Sequence, residues 1–268
     1  MPKLFVVSDI HSYYEPLKKA LDEKGFDPSN EDHWLIVCGD AFDRGNDSVE
    51  ILHYLMTLDR KILIRGNHDD LLEECCLRGY PHPYDRPNGT SKTIYNIGSS
   101  SEFDVCCDVA YHKLSGYRNS LVNYFETENY IFVHGWIPCE EIGGDPSQPW
   151  LYYEKTYEYN PNWRDCSDVE WEVARWTNGI KRAHDGIIEP NKTIVCGHWH
   201  CSYGHSLDSA NTDTFVSEFK EDAIWEPWYH NGCIAIDRCT AHTGEVNVLV
   251  LEDNFILDKG NNSDGKVL

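Results

Sequence analysis

The sequence predicts an α/β fold in which parallel strands alternate with helices. Three short apolar runs near the N-terminus have the length and composition of buried strands. The segments between these runs place apolar residues at helical spacing. This order of strand, helix, strand, helix, strand favours parallel βαβ units. With 268 residues, of which 41% are hydrophobic, the chain can bury a large core.

The boundaries of the N-terminal elements follow from local signals. Pro16 suits the first turn of a helix, Gly25 ends that helix, and Asn46 can cap the next one. The predicted strands and helices are, in order, Leu4–Ser8, Glu15–Lys24, Trp34–Cys38, Asp47–Leu58 and Lys61–Ile64.

The rest of the chain is less regular. Residues from about 77 to 128 and from about 137 to 162 lack long apolar strands and are predicted to be irregular insertions. Two further strands are predicted at Tyr130–Val133 and Thr193–Cys196. We expect residues 1–258 to form one domain and residues 259–268 to form a disordered tail.

Two C-terminal predictions depend on periodicity and turn residues. A helix over Asp168–Ala183 would bury a stripe formed by Val169, Val173, Trp176 and Ile180. Two final strands, Gly232–Asp237 and Val246–Leu251, would be joined across a turn at His242-Thr243-Gly244.

The composition limits the setting and the partners. A formal net charge of −22 repels nucleic acids and membranes, so a phosphorylated substrate needs a local positive site. Eleven cysteines without a Cys-x-x-Cys spacing, after a start too short in apolar content for a signal peptide, predict free thiols in a reducing cytoplasm. Cys38 and Cys196 lie in apolar runs and are predicted to be core residues. No segment reaches transmembrane length, and no feature specifies an oligomeric state.

Five short polar motifs each follow an apolar run. Because ligands bind at the carboxyl ends of strands in α/β folds, we expect these motifs to converge. Their Asp, Asn and His side chains are the donors that two divalent cations require. In chain order the motifs are Asp9-Ile10-His11, Gly39-Asp40-Ala41-Phe42-Asp43-Arg44-Gly45, Gly66-Asn67-His68-Asp69, His134-Gly135 and Gly197-His198-Trp199-His200.

No single motif decides the function. An Asp-x-His after a strand is more often a turn or a helix cap than a ligand pair. Two carboxylates beside an arginine are more informative, because such a group is costly to assemble without a counter-charge. Gly-His-x-His places two imidazoles on one side of an extended segment, a usual spacing for metal ligands. The prediction therefore depends on the joint occurrence of all five motifs.

Together the motifs resemble those of the calcineurin-like metallophosphoesterase superfamily. Within it they are most similar to the phosphoprotein phosphatase (serine/threonine phosphatase) family of bacterial and phage type. The similarity runs from Phe5 to about Leu251 and does not include the two insertions. It implies a β-sandwich of two mixed sheets flanked by helices (α/β/β/α), with a dimetal site at the carboxyl ends of the strands. It also implies two divalent metal ions per chain, with Mn²⁺ preferred and Fe or Zn as alternatives.

The resemblance implies a role for each motif residue. Asp40 would bridge the two cations, and the remaining ligands would be Asp9 and His11 on the first cation and Asn67, His134 and His198 on the second. Arg44 and Asn67 would bind the substrate phosphate. His68 would protonate the leaving oxygen, with Asp43 orienting it, while a hydroxide shared by the cations attacks in line. An alternative role for Asp43 is a structural partner of Arg44.

The sequence departs from the phosphatase pattern in three places. Asp69 stands where glutamate is usual, and His200 adds a second histidine to the last motif. His200 is predicted to be a further metal ligand or a close neighbour of one. The second phosphate-binding arginine is not obvious, and Arg175 is our first choice and Arg182 our second.

The predicted function is hydrolysis of phosphomonoesters, with phosphoserine and phosphothreonine proteins as the leading substrates. A dinucleoside polyphosphate hydrolase, a phosphodiesterase and a non-catalytic binding protein with a degenerate site are the alternatives. An aromatic cluster in the second insertion would suit either a nucleobase or simple packing: Trp150, Tyr152, Tyr153, Tyr157, Tyr159 and Trp163.

Overall fold

The computed structural model describes residues 1–142, 156–210 and 215–255. In chain order its elements are β1 (Lys3–Val7), α1 (Tyr14–Glu23), β2 (His33–Cys38), α2 (Ser48–Thr57), β3 (Lys61–Ile64), α3 (Asn67–Arg78), α4 (Asp85–Asn88), α5 (Thr90–Gly98), α6 (Phe103–Lys113), α7 (Ser115–Ser120), β4 (Leu121–Val122), β5 (Phe125–Glu126), β6 (Tyr130–Phe132), β7 (Cys139–Ile142), β8 (Thr156–Tyr159), α8 (Asp168–Arg175), α9 (Gly179–His184), β9 (Thr193–Cys196), α10 (Cys201–Ser209), β10 (Trp228–His230), β11 (Cys233–Ala235), α11 (Thr240–Thr243) and β12 (Leu249–Glu252).

The strands form two mixed five-stranded sheets and a small hairpin. The first sheet has the order β12-β1-β2-β3-β4, with β12 antiparallel to β1 and the other neighbours parallel. The second has the order β10-β11-β9-β6-β5, in which β11, β9 and β6 are parallel and the two edge strands are antiparallel. Strands β7 and β8 pair separately.

Alternate residues of the central strands face different layers. On β1, Leu4 and Val6 pack against residues of the second sheet such as Phe132 and Val195. Phe5 and Val7 face the other way and pack with the helices on the outside of the first sheet. Burial on both faces explains why these strands are uninterrupted apolar runs. A third apolar cluster covers the outer face of the second sheet and includes α8 and α9. The predicted α/β/β/α sandwich is therefore confirmed.

The predicted long helix over residues 168–183 is instead two helices, α8 and α9. The chain bends after Arg175, and the Asn178 side chain accepts a hydrogen bond from the Lys181 amide to cap α9. The predicted buried stripe is also wrong at Val169, Val173 and Trp176, which are exposed. Helix α8 buries the neighbouring face instead, which carries Trp171, Ala174 and Arg175.

The two predicted C-terminal strands are present, but they are not joined as a pair across a turn. Strand β11 belongs to the second sheet, whereas β12 belongs to the first, so the two do not pair. The turn expected at residues 242–244 is the end of the short helix α11, and Gly244 (φ 69°) follows it in the left-handed region. The chain therefore crosses from one sheet to the other here.

The two insertions differ in content. Residues 77–128 hold the end of α3, helices α4 to α7 and the short strands β4 and β5. In the second insertion, Trp150, Tyr152 and Tyr153 lie outside the described residues, as does the predicted tail at 259–268. Of the other aromatic residues, Trp163 is buried in the core, and the Tyr159 hydroxyl donates to Glu189 at 2.8 Å.

Candidate metal centre

Most of the predicted ligands lie on loops that begin where a strand ends. Asp9 follows β1, Asp40 follows β2, His134 follows β6 and His198 follows β9, while Asn67 begins α3 just after β3. Because β1, β2 and β3 are adjacent and parallel, as are β6 and β9, their carboxyl ends lie at the same edge of each sheet. The loops therefore converge as the sequence predicted.

These loops have an unusual backbone conformation. Among the described residues, nine that are not glycine have positive φ, and six of the nine are predicted site residues: Asp9, His11, Asp40, Asp43, Arg44 and His198. Left-handed backbone costs free energy for residues with a side chain, and such strain concentrates at functional sites.

Two glycines allow the loops to approach closely. Gly39 has φ 81°, and a side chain there would overlap the His134 ring. At Gly66 a methyl group would overlap the carboxylate of Asp40. Glycine is therefore required at both positions for the ligand loops to pack together.

Asp40 lies at the centre of the cluster. Two groups of side chains have ligand atoms within 4.8 Å of one another, His11 with Asp40 and His68, and Asp40 with His134 and His198. The Asp40 Oδ2 atom is 3.4 Å from His134 Nε2 and 3.9 Å from His11 Nε2. One carboxylate shared by two groups is the arrangement that a bridging ligand needs.

Hydrogen bonds orient two of the imidazoles. His11 Nδ1 donates to the Phe42 carbonyl at 2.9 Å, and His134 Nδ1 donates to the Cys38 carbonyl at 2.8 Å. In each ring the Nε2 lone pair is then free to face the cluster. A backbone carbonyl on the outer nitrogen is the usual arrangement for a histidine that binds a metal.

Asn67 joins two histidines of the second group. Its Oδ1 atom lies 2.8 Å from His134 Nε2 and 3.0 Å from His198 Nδ1. Neutral imidazole nitrogens and an amide oxygen are all electron-pair donors, so a cation suits the space between them. The remaining ligand, Asp9, accepts the His198 backbone N–H at 2.9 Å and lies 3.9 Å from His11 Nε2.

Burial and neighbouring charges set the protonation of the cluster. Burial lowers the pKa of both His11 and His198 to about 3, so both rings are neutral at physiological pH. Burial works to raise the pKa of Asp40, but the nearby histidines, His134 first, hold it below its usual range. Neutral imidazoles and an ionised carboxylate are the forms that bind cations.

His68 has a different environment. Burial lowers its pKa, but the carboxylates of Asp40 and Asp43 outweigh this effect and raise the pKa to about 9. Its Nδ1 donates to Asp43 Oδ2 at 2.8 Å, and the same oxygen accepts the Thr90 hydroxyl at 2.6 Å. The Arg44 guanidinium lies 3.5 Å from His68 Nε2. A protonated imidazole beside an exposed arginine can both donate a proton and attract phosphate.

Three predicted site residues are not brought to the cluster. The His200 ring bonds Ser202 at 2.9 Å and lies 3.1 Å from a Glu218 oxygen. Arg175 is buried, and its guanidinium donates to Asp70 at 2.7 Å and to Asn123 at 3.0 Å. Arg182 stacks over the Tyr157 ring. Neither arginine is among the described residues that line the pocket at the cluster.

That pocket has a volume of about 310 Å³ and includes residues that the sequence analysis missed. Asp237 is one of them, and it is buried beside Asp9, with burial and that carboxylate raising its pKa. It ends the apolar run of β11 in the same way as the recognised motifs, and this was the available signal. Asn88, Trp176 and Thr240 also line the pocket and carried no such signal.

A larger groove of about 660 Å³ runs between α1 and the segment before β12. Its described lining has lysine, arginine and glutamate side chains but no histidine and no aspartate. Neither of the two candidate metal-binding groups lies there. The chemistry is therefore assigned to the smaller pocket.

The model of the calcineurin-like phosphoesterase family matches residues 2–251. The chain belongs to this family. The phosphoesterase is therefore a phosphoric ester hydrolase of the kind that the motifs indicated, and the family implies divalent metal ions. Its Asp, Asn and neutral His donors fit such ions, as the cluster geometry above shows.

Its relatives include two proteins named symmetrical bis(5'-nucleosyl)-tetraphosphatase. The one from Pseudomonas fluorescens (strain SBW25) is 42% identical over 66 residues, which is 24% of this chain and 23% of the relative. The one from Pseudomonas entomophila (strain L48) is 28% identical over 183 residues, 62% of this chain and 59% of the relative. Both matches thus cover less than two thirds of the relatives' length.

A solved structure described as a cold-active protein tyrosine phosphatase is similar in fold. It has a TM-score of 0.53 and 18% sequence identity, and the match covers 94% of the phosphoesterase and 74% of that chain. Among its own described residues, the phosphoesterase has no helix long and apolar enough to cross a membrane. All eleven of its cysteines are free thiols.

Proposed function

We propose that this phosphoesterase is a two-metal hydrolase whose preferred substrates are dinucleoside polyphosphates. The observation that carries the hydrolytic part is the sharing of Asp40 between two groups of ligand atoms in one pocket. Two cations held by one carboxylate are suited to an in-line displacement at phosphorus.

The cations are assigned to named residues. Asp9, His11 and Asp40 would hold the first, and Asp40, Asn67, His134 and His198 the second. Mixed oxygen and imidazole ligands favour Mn²⁺, with Fe or Zn as alternatives. When bound, the cations supply Lewis acidity, which polarises phosphoryl oxygens and makes water nucleophilic near neutral pH.

The protein's own side chains supply the remaining steps. Arg44 is exposed in the pocket, and its guanidinium can hold two phosphate oxygens. His68 is proposed to give its Nε2 proton to the leaving oxygen, because the two nearby carboxylates keep the ring protonated. Asp43 fixes the ring through Nδ1. We propose no phosphate contact for Arg175 or Arg182, whose guanidinium groups are engaged elsewhere.

Two observations support dinucleoside polyphosphates as the substrate class. The relatives from Pseudomonas fluorescens and Pseudomonas entomophila carry a name that states this activity. The pocket is also bordered by Trp176, which is 49% exposed, and by Trp199. An exposed indole ring such as that of Trp176, beside a phosphate site and next to the half-buried Trp199, suits a nucleobase.

Phosphomonoesters of serine and threonine are the second candidate. The His68–Asp43 pair favours them, because an alkoxide leaving group needs a proton more than a nucleotide phosphate does. A purely binding role ranks lower, since Asp9, His11, Asp40, Asn67, His134 and His198 are all present and converge. We place the activity in a reducing cytoplasm, in accord with the free thiols.

A substrate panel tests the proposal. Purified protein supplied with Mn²⁺ is assayed against diadenosine tetraphosphate, a phosphothreonine peptide and a bis-aryl phosphodiester. We expect kcat/KM for the dinucleotide to exceed that for the peptide by about tenfold or more. Turnover of the peptide alone would assign the second candidate, and turnover of none would refute a hydrolytic function.

A further inference from the structure

Four aromatic rings form a cluster on one side of the pocket. His200 lies 4.7 Å from Phe219 and 5.8 Å from Trp225, measured between ring centroids. His242 completes the group at 5.4 Å from Trp225 and 6.0 Å from Phe219. The His200 ring cluster thus consists of His200, Phe219, Trp225 and His242.

The His200 ring cluster is continuous with the metal-centre pocket. His200 itself lines that pocket, and so does Ala241, the residue before His242. Phe219 and His242 are exposed, so aromatic surface reaches solvent directly beside the phosphate site. A ligand with its phosphate at the metal centre would extend over these rings.

The imidazole of His200 is held by two polar neighbours. Its Nδ1 bonds the Ser202 hydroxyl, and its Nε2 lies beside the Glu218 carboxylate. Both nitrogens are therefore engaged along the ring edge. The ring contributes its faces to the cluster, which is the part that stacks with another π system.

We infer that the His200 ring cluster is a nucleobase subsite of this enzyme, with the Phe219 ring as its exposed stacking surface. The inference rests on the proposed function, because the base must belong to a substrate whose phosphate is held at the metal centre. The nucleobase is the part of the substrate that the metal ligands and Arg44 would not contact.

Electrostatics favour this assignment over a site that depends on charge. The chain carries a net charge of −22, which repels a polyphosphate at long range. Stacking of a base on an aromatic ring contributes about 1–3 kcal/mol and does not depend on the charge of the protein. A base subsite therefore adds affinity that the acidic surface does not oppose.

Phe219 and Phe215 provide a matched comparison. Both are exposed phenylalanines in the same segment, but Phe215 belongs to no ring pair among the described residues. The experiment measures the binding of AMP and of inorganic phosphate to the Mn²⁺-loaded protein by calorimetry. It uses wild type, Phe219→Ala, Phe219→Leu, Phe219→Trp and Phe215→Ala.

We expect Phe219→Ala and Phe219→Leu to weaken AMP binding by about tenfold and to change phosphate binding by less than about twofold. Phe219→Trp keeps an aromatic face and should bind AMP within about threefold of wild type. Phe215→Ala should change the binding of neither AMP nor phosphate. Phe219→Leu retains apolar volume, so its result stands if the alanine variant does not fold.

Three results would overturn the inference: equal losses of AMP and phosphate binding, an equal loss of AMP binding in Phe215→Ala, or no loss of AMP binding in Phe219→Ala and Phe219→Leu. The last would leave the rings free to pack an apolar peptide side chain instead. Failure of the proposed function is a separate result. A wild-type protein that binds AMP through Phe219 but hydrolyses no dinucleoside polyphosphate would refute the substrate and keep the subsite.

Discussion

On the floor of the pocket, Asp9, Asp40 and Asn67 are at most 3% exposed, whereas Trp176 on its rim is 49% exposed and Phe219, in the adjoining His200 ring cluster, is 55% exposed. Asp9 and Asp40 lie on loops directly after strands, where their backbone is strained, and Asn67 begins α3 just after β3. The rim residues lie between elements and have ordinary backbone angles. The difference teaches that the candidate metal ligands are positioned by the backbone, whereas the residues we propose for substrate choice are exposed side chains.

The largest effect is expected for Asp40→Asn. Because both groups of ligand atoms share Asp40, loss of its charge should weaken the binding of both cations and lower kcat by about a thousandfold or more. Turnover and the metal content of the purified protein are the measurements. Asp59→Asn, an exposed residue, is the matched control. Near-normal turnover in the Asp40 variant would contradict the bridging role.

Removal of the metals should affect the floor nearly as strongly. Without cations, Asp9, Asp40 and the facing donor atoms of Asn67 and His134 lose their counter-charge. After treatment with a chelator we expect activity to vanish and the melting temperature to fall by about 5–10 °C. Mn²⁺ should restore both, as followed by calorimetry and turnover. An apo protein with unchanged activity would end the assignment of a metal centre.

An intermediate effect is expected for Thr90→Val. The substitution keeps the shape of the side chain but removes one of the two hydrogen bonds that hold the Asp43 carboxylate, leaving His68 less well oriented. With phenyl phosphate, kcat should fall about tenfold, and with 2,4-dinitrophenyl phosphate by less than about threefold, because a good leaving group needs little acid catalysis.

Thr93→Val serves as the control for that experiment. Thr93 accepts a hydrogen bond from the Asp43 backbone at 3.1 Å and does not contact its carboxylate. Loss of this hydrogen bond should therefore disturb the loop and lower kcat by a similar factor for substrates with good and with poor leaving groups. The role of Thr90 would be disproved by a uniform loss in Thr90→Val as well.

The smallest effect on catalysis is expected for Arg175→Met. Its guanidinium is buried against Asp70 and Asn123, so KM should stay within about twofold of wild type. The free energy of unfolding, measured in urea, should fall by about 2 kcal/mol, because Asp70 loses one of its two arginine partners and keeps Arg65. Arg182→Met, which removes a guanidinium stacked on the Tyr157 ring, should lower it less. A large rise in KM with unchanged stability would instead support Arg175 as the second phosphate-binding arginine.

The residues on the floor of the pocket could be predicted from the sequence because each is marked by its immediate neighbours in the chain. Each ligand follows an apolar strand, and strands β3 and β9 have the predicted bounds. The motifs then converge wherever the strands are adjacent and parallel. Asp237 follows the same rule, because it comes just after β11 and lines the pocket. It is not part of any of the five motifs, so the sequence analysis did not include it in the site.

The contacts that local patterns do not predict are made mostly with residues elsewhere in the chain. His200 was expected beside His198 on an extended segment, but α10 begins at Cys201 and the ring turns toward Ser202 and Glu218. Arg175 was our first choice for the second phosphate-binding arginine, but its partner Asp70 lies 105 positions away. The final strands looked like a hairpin because period-2 patterning does not state which sheet a strand joins.

The pairing of β1 with β12 has a consequence for synthesis. Lys3 is opposite Glu252, so the strand that leads to Asp9 and His11 is not flanked on both sides until the ribosome has nearly finished the described chain. Contacts of such high sequence separation form slowly. The first sheet, and with it the strand before two predicted metal ligands, is therefore completed only after the residues of β12 have been synthesised.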